Sequence, residues 1–455
     1  MTHPLPKRLT PPDISLRAIG KLAGPIFVAN IAIVGGGTID TVMAGHLGPD
    51  HLAAIALGLA TMIMVFMGLV GILQGMSPLA AHHFGAHKYE KIGFELSQCL
   101  WLALILSLIG MPILGATDIW TNLAEAQGEV KRMAAQYLTI SMIGLPAALF
   151  GRAFISLNAA LSRPKVTMYV SLALLFLKVP FNAIFMYGWL GFDALGGAGA
   201  AISSTLLTYI SVLVYYLVWR NDKFYEKMRC AQFYWPQPKA LWAQLKIGIP
   251  IGLSTFFEIS SFTLMAIFIS RFGAITVSAH QIVGNITSMA YMLQLSIGIS
   301  CTVLVAQCLG AGWANVAEKA TRRCLTISVI SASLAALTLY FGRETIAHWY
   351  TSDETVIKIA VSLLLFGVCY HVFDALQCVS AFALRAYRVT FWPMVVYGVL
   401  LWGVGIIGGY YMAFNAKPFF SQPLQAYGFW GMVALGLFLA GMVLLVFALW
   451  VARTR

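Results

Sequence analysis

Apolar residues along this 455-residue chain come in long runs separated by short polar stretches. Leu100 to Leu114, Val166 to Phe176, Leu206 to Val218 and Gly431 to Ala452 are examples. Each extends, with its neighbours, to the roughly 20 residues that cross about 30 Å of hydrocarbon. In lipid every backbone polar group must find its partner within the protein, so runs of this length are helices. Strands of a membrane barrel would be about 10 residues long and would alternate apolar with polar, and these runs do not. The pattern predicts an all-α polytopic membrane protein of twelve helices, near 20–46, 52–84, 94–115, 131–159, 165–188, 194–219, 246–271, 276–309, 319–341, 356–384, 390–413 and 427–452.

The longest polar stretch, Arg220 to Lys246, carries Arg220, Lys223, Lys227, Arg229, Lys239 and Lys246, with Pro236 and Pro238. It divides the chain into an N-terminal six-helix bundle (1–219), a linker (220–245) and a C-terminal six-helix bundle (246–455). The halves echo each other. Lys21-Leu-Ala-Gly-Pro25-Ile recurs as Lys246-Ile-Gly-Ile-Pro250-Ile, and Ala81 to Ala86 matches Ala306 to Ala311, both at an offset of 225. Ala160-Leu161 followed by Lys165-Val-Thr167 matches Ala383-Leu384 followed by Arg388-Val-Thr390 at an offset of 223. Gly196-x-x-Gly199 has a counterpart in Gly428-x-x-Gly431. Matches in register along the chain indicate a duplication. Six helices is an even number, so both repeats insert with the same orientation, a common transporter plan with sites at the repeat interface.

Composition and charge sharpen the picture. Only 10% of residues are charged and 60% are hydrophobic, against about 25% charged in a soluble chain, which excludes one soluble core. The net charge of +12 invites a nucleic-acid partner, but its placement argues for topology. Of 29 Lys and Arg, 21 fall in the two tails and in the loops that follow even-numbered helices. The opposite loops hold Lys131, Arg132, Arg271, Arg343, Lys358 and Lys417, and Arg152 and Lys178 lie within spans. Positive charge marks the cytoplasmic face, so both termini are expected there, in a multi-pass inner membrane protein without nucleic-acid partners. Lipid is the expected surrounding, with some attraction of the basic loops to anionic headgroups. The seven Cys, scattered mostly inside helices, make no disulfide framework. The first apolar run reads as a retained helix rather than a signal peptide.

Of the 17 acidic residues, only Asp40, Glu258 and Asp374 fall deep in predicted spans. An ionised carboxylate there costs several kcal/mol, so it takes a proton, holds a cation or pairs with a base. Glu258 stands twelve residues after Lys246, roughly 18 Å along a helix and so near the midplane. Ser254, Ser260, Ser261 and Thr263 are candidate oxygen ligands beside it. His371 and Gln377 lie three residues either side of Asp374, on one helix face. Two carboxylates in one half suit a hard cation such as Na⁺, which wants several oxygen ligands. The structural alternative pairs each acid with Arg152, Lys178 or a backbone group. Pro25, Pro146, Pro180 and Pro250 are expected to bend or break their helices. Gly35-Gly36-Gly37 suits close helix approach; with no Lys-Ser/Thr after it, it is no phosphate loop. No Walker motif and no Ser-His-Asp set is present, so neither an ATPase nor another enzyme is expected, and no cofactor beyond a coupling ion. His82-His83-x-x-x-His87 reads as a basic loop end rather than a metal site.

Several runs resemble one known family. Asp40-Thr-Val-Met-Ala-Gly45-His-Leu-Gly48 with Ala53-Ala54-Ile-Ala-Leu-Gly58 is similar to the first helix and loop of multidrug and toxic compound extrusion (MATE) transporters. Pro250-Ile-Gly-Leu-Ser254, Phe257-Glu258, Ala279-His-Gln281, Asp374-Ala-Leu-Gln377, Leu384-Arg385 and Val179-Pro180-x-Asn182 with Met186-Tyr-Gly188 resemble its bacterial NorM-like branch. The resemblance covers essentially the whole chain. It implies two six-helix bundles around a V-shaped central cavity and antiport of cationic or amphipathic small molecules against Na⁺ or H⁺. It implies a cation site at Glu258, Asp374 and Tyr291, a polar site at Asp40 and Asn182 in the first half, and cavity-lining roles for Asp40, Gln281 and Asp353. One departure stands out: Lys178 occupies a position where Asn is expected. A buried ammonium there either pairs with Asp40 and removes it from proton or drug chemistry, or joins a proton relay and lines the cavity.

Rival readings are weaker. A major-facilitator exporter would carry a basic motif after its second helix, where Gly85-Ala-His-Lys-Tyr-Glu-Lys stands. A lipid-linked sugar flippase would line its cavity with cations, whereas the deep charges here are mainly acidic. One chain supplies a whole pathway, so a monomer is expected.

Overall fold

The computed structural model describes residues 10–228, 234–415, 417 and 420–455. Part of the basic N-terminal tail and, in the linker, Arg229 lie outside the described residues. The described residues form helices and no strand. Twelve helices are long and apolar enough to cross a membrane: α1 (Leu16–Gly45), α2 (Asp50–Gly85), α3 (Tyr89–Gly115), α4 (Gly128–Ala160), α5 (Pro164–Tyr187), α6 (Gly197–Asn221), α7 (Pro238–Phe272), α8 (Ala274–Gly310), α9 (Ala314–His348), α10 (Glu354–Ala386), α11 (Phe391–Phe414) and α12 (Ala426–Thr454).

Hydropathy places the apolar middle of a helix better than its ends. Helix α9 runs from Ala314 to His348 rather than over 319–341 because its ends carry Glu318, Lys319, Arg343 and Glu344, charges that continue the helix outside the apolar stretch. Helix α7 starts at Pro238, inside the predicted linker. Proline suits a first helical position, where its missing N–H would have had no helical partner anyway. Pro25, Pro112, Pro146, Pro180 and Pro250 all lie inside helices that continue through them. Of the glycine triplet, only Gly35 is closely packed: an added Cβ would come 3.3 Å from Leu175, while Gly36 and Gly37 face open space. Helix α11 widens into π-helical turns over Gly398–Gly408, a stretch rich in glycine.

The chain forms two compact units, one spanning Gly24–Gly252 and the other Leu253–Arg455 together with the residues up to Ala23. The start of α7 thus packs within the first unit. Gln244 Nε2 donates to Glu95 Oε2 at 2.7 Å, and Ile247 and Ile251 join Leu79 in a buried cluster. The linker is pinned where described: Arg163 Nη1 meets Asp222 at 2.5 Å, and Trp101 Nε1 donates to the Tyr234 carbonyl at 3.0 Å.

Each unit is organised alike. In the first, α4 is central and packs against α2, α3 and α6; in the second, α10 packs against α8, α9 and α12. Backbone detail shows the duplication directly. Gly48 (φ 127°, ψ 168°) and Gly273 (φ 96°, ψ 165°) begin α2 and α8 in the same conformation, at the offset of 225. The turn after α4, with Arg163 N donating to Asn158 O, recurs after α10 with Val389 N donating to Leu384 O, at 226 rather than 223. The glycine match shifts as well: Gly196 (φ 56°, ψ −131°) corresponds to Gln425 (φ 50°, ψ −131°), and Gly199 to Gly428. Loops of different length between repeat helices change the offset along the chain, which a match by residue identity does not register.

Candidate functional site

In the second unit, four helices bring polar groups together. The Tyr291 hydroxyl of α8 donates to Glu258 Oε1 of α7 at 2.9 Å. The Gln377 amide of α10 donates to the same oxygen at 3.2 Å and to Asp374 Oδ1 at 3.0 Å. Tyr397 of α11 donates its hydroxyl to Gln377 Oε1. Carboxylates accept only, so the amide N–H₂ must face them, and Tyr397 holds it in that sense by occupying the carbonyl oxygen. Asp374 is 6% exposed and Gln377 fully buried. The donors at this site are neutral, so its two carboxylates carry uncompensated negative charge when ionised. Arg385, three turns further along α10, sits with its guanidinium 3.9 Å over the Phe382 ring.

The sequence placed Glu258, Asp374 and Tyr291 together, and the structure does so. The expected hydroxyl ligands turn elsewhere: Ser260, Ser261 and Thr263 donate to carbonyls of their own helix, Ser260 to Phe256, Ser261 to Glu258 and Thr263 to Ile259. This local bond is the ordinary choice for a helical hydroxyl. His371 is buried but makes no hydrogen bond to either carboxylate. Tyr397 was missed, because nothing in a sequence pattern says that α11 faces α10 at that level. Gln377 was legible as the neighbour of Asp374 one turn on.

A second cluster lies in the first unit. Asp40 of α1 is 2% exposed and faces α5 and α6. Lys178 Nζ approaches Asp40 Oδ1 at 3.0 Å, and Asn182 Nδ2 donates to that oxygen at 2.7 Å. The Ser204 hydroxyl donates to Asp40 Oδ2 at 3.4 Å and accepts from Lys178. Residues 178 and 182 are one turn apart, on one face of α5. Asp40, Asn182 and Lys178 are thus brought together as expected, with Asp40 in the ion pair that the sequence left open.

Gln281 and Asp353 belong to neither cluster. Gln281 is exposed on α8. Asp353 is exposed at the N-cap of α10, where its carboxylate accepts from Thr355 N at 2.8 Å and Val356 N at 3.3 Å. Asp353→Ala is therefore expected to cost about 1 kcal/mol of stability, read as a small fall in the melting temperature of the detergent-solubilised chain. A fall in substrate affinity with unchanged melting would point to a cavity role instead. His83 faces Glu95 at 3.7 Å and His87 stacks on Tyr89; among the described residues no three His, Cys, Asp or Glu gather as metal ligands.

Twelve membrane-length helices in two matching sets of six, with buried charge and no assembled catalytic group, define a membrane transporter of the two-repeat class. The MatE family model matches residues 25–184 and 250–411, one stretch in each repeat. The chain is 36% identical over 434 residues to "Probable multidrug resistance protein NorM" of Aromatoleum aromaticum, covering 94% of both chains. It is 31% identical over 441 residues to "Multidrug resistance protein NorM" of Aliivibrio fischeri, covering 95% of this chain and 94% of that one. Its fold matches the crystal structure of the eukaryotic MATE transporter AtDTX14 with a TM-score of 0.87 at 18% identity, over 96% of this chain and 97% of that one. It also matches the bent form of the Vibrio cholerae MATE transporter VcmN at 0.83 and 16% identity, over 96% and 97%. The chain belongs to the MATE family: it is a multi-pass membrane transporter and not an enzyme.

Proposed function

We propose that this transporter exports cationic or amphipathic small molecules by antiport, exchanging them for inward-moving Na⁺ or H⁺ at Glu258 and Asp374. The observation that carries this reading is the pair of carboxylates linked through one Gln377 amide, with only neutral donors around them. Such a pair is stable in a low-dielectric setting only when a proton or a cation offsets its charge. A site that must be loaded on one side of the membrane and unloaded on the other couples that ion to any cargo whose binding it opposes. The naming of relatives as multidrug resistance proteins supports drugs and toxic compounds as cargo. The excess of Lys and Arg in one set of loops supports cytoplasmic termini, and one chain acting as a monomer suffices.

Purified protein in proteoliposomes, loaded with ethidium, tests the reading. Imposing a Na⁺ gradient and a pH gradient separately is expected to drive export under one of them and to name the ion. Export under neither gradient, with folded protein, would overturn antiport and turn attention to lipid-linked cargo.

A further inference from the structure

The two polar clusters differ in charge. At Glu258 and Asp374 two carboxylates face neutral donors. At Asp40 one carboxylate faces one ammonium, and both are almost fully buried, with side-chain exposures of 3% and 7%. Lys178 Nζ lies where a bound cation would lie: 3.0 Å from a carboxylate oxygen and in contact with the Ser204 hydroxyl. The carboxylate has little left to offer. Its Oδ1 accepts from Lys178 and Asn182, and its Oδ2 accepts from Ser204. The other titratable side chain near this pocket is Tyr137 of α4, buried in the cluster that includes Ala44 and Met186. A mobile cation entering here would meet an ammonium already in place, with no second carboxylate to hold it.

We propose that Lys178 is a tethered stand-in for a coupling cation, so that the first half takes up no exchangeable ion. Ion coupling then falls wholly to the second half, one site per chain. This inference rests on the reading of Glu258 and Asp374 as the coupling site. It makes Lys178 a specificity-determining residue, because the number of ions exchanged per cargo depends on it. The same geometry says what its removal leaves behind. Without the ammonium, Asp40 Oδ1 and the Ser204 oxygen come free. The buried Asn182 Oδ1, which has no hydrogen-bond partner, adds a third oxygen of the kind hard cations take. The ammonium of Lys178 thus fills a pocket that is otherwise suited to an ion.

The test is an ion count on purified full-length protein, by equilibrium binding of radioactive Na⁺ and by proton release on adding ethidium. Wild type is expected to bind one ion per chain, of whichever kind drives export, and Asp374→Asn to bind none. Lys178→Asn is expected to raise the count from one to two, and adding Asp40→Asn to return it to one. The double variant Asp40→Asn with Lys178→Asn removes both charges and leaves neither buried alone. It keeps the test open even where Lys178→Asn by itself does not fold. A double variant that loses the wild-type ion would overturn the proposal, as would folded Lys178→Asn with a count of one. An Asp374→Asn protein that retains the wild-type count would instead overturn the reading on which the proposal stands.

Discussion

Asp374→Asn is expected to reduce gradient-driven export of a fluorescent cation by at least about 100-fold while leaving the protein folded. Asp374 is buried and shares the Gln377 amide with Glu258. An asparagine of the same shape can keep packing against Gln377 but brings no charge. Two unit charges about 4 Å apart at an effective dielectric near 20 interact by roughly 4 kcal/mol. Losing one carboxylate therefore lowers affinity for a coupling cation by two to three orders of magnitude, at about 1.4 kcal/mol per tenfold. Glu258→Gln is expected to do the same. The double variant should be little worse than either single one, because groups that hold one ion fail as a unit. Ethidium efflux from proteoliposomes under the driving gradient gives the rate, and thermal melting in detergent gives the fold. Rates within a few-fold of wild type in folded Asp374→Asn protein would remove the carboxylate pair from coupling.

How much of this was legible in the sequence depends on how local the signal is. A carboxylate deep in an apolar run is conspicuous by itself, so Asp40, Glu258 and Asp374 could be picked out. Tyr291 came through the family resemblance, and its hydroxyl does reach Glu258. Gln377 lies one turn from Asp374, within reach of helical periodicity. Ser204 and Tyr397 were out of reach, because their roles depend on the faces that α6 and α11 turn inward, and apolar runs without a polar stripe do not declare a face. The sequence could name Lys178 and Asp40 as possible partners but could not choose pairing over exposure to cargo. Only the geometry, with Ser204 and Asn182 taking up the remaining oxygens, makes the pair self-contained. Asp353 shows the opposite failure. Resemblance suggested a cavity role, while its oxygen is engaged with the first two N–H groups of α10, as expected for an acidic residue at a helix N-cap.

Gly199→Ala and Gly428→Ala are expected to be the most damaging single-methyl changes in α6 and α12, and the reason lies in the repeat. At both positions the incoming helix crosses the backbone of the helix before it. A Cβ on Gly199 would stand 2.2 Å from the Phe185 carbonyl oxygen and 2.7 Å from the Met186 nitrogen. A Cβ on Gly428 would stand 2.8 Å from the Ala413 nitrogen and 2.9 Å from the Met412 carbonyl carbon. These are backbone atoms held by the returning strand of chain: Leu195 N donates to Phe185 O at 3.0 Å and Gly196 N to Met186 O at 3.2 Å. Their counterparts run from Leu424 N to Met412 O at 3.0 Å and from Gln425 N to Ala413 O at 3.1 Å. No side chain can swing aside, so the helix itself must shift, at a cost at or above the roughly 1–3 kcal/mol of ordinary overpacking. Gly199, with the shorter contact, should suffer more, with little folded protein recovered from the membrane. Gly36 is the control, because a Cβ there meets nothing within 4 Å. Gly36→Ala should be neutral or should stabilise α1 by about 0.5–1 kcal/mol through the lower entropy cost of alanine. Yield of monodisperse protein and its melting temperature rank the three variants. Gly199→Ala melting like wild type would mean that α6 does not cross the end of α5 as closely as these contacts require, and the repeat would lose the crossing that most clearly relates its two halves.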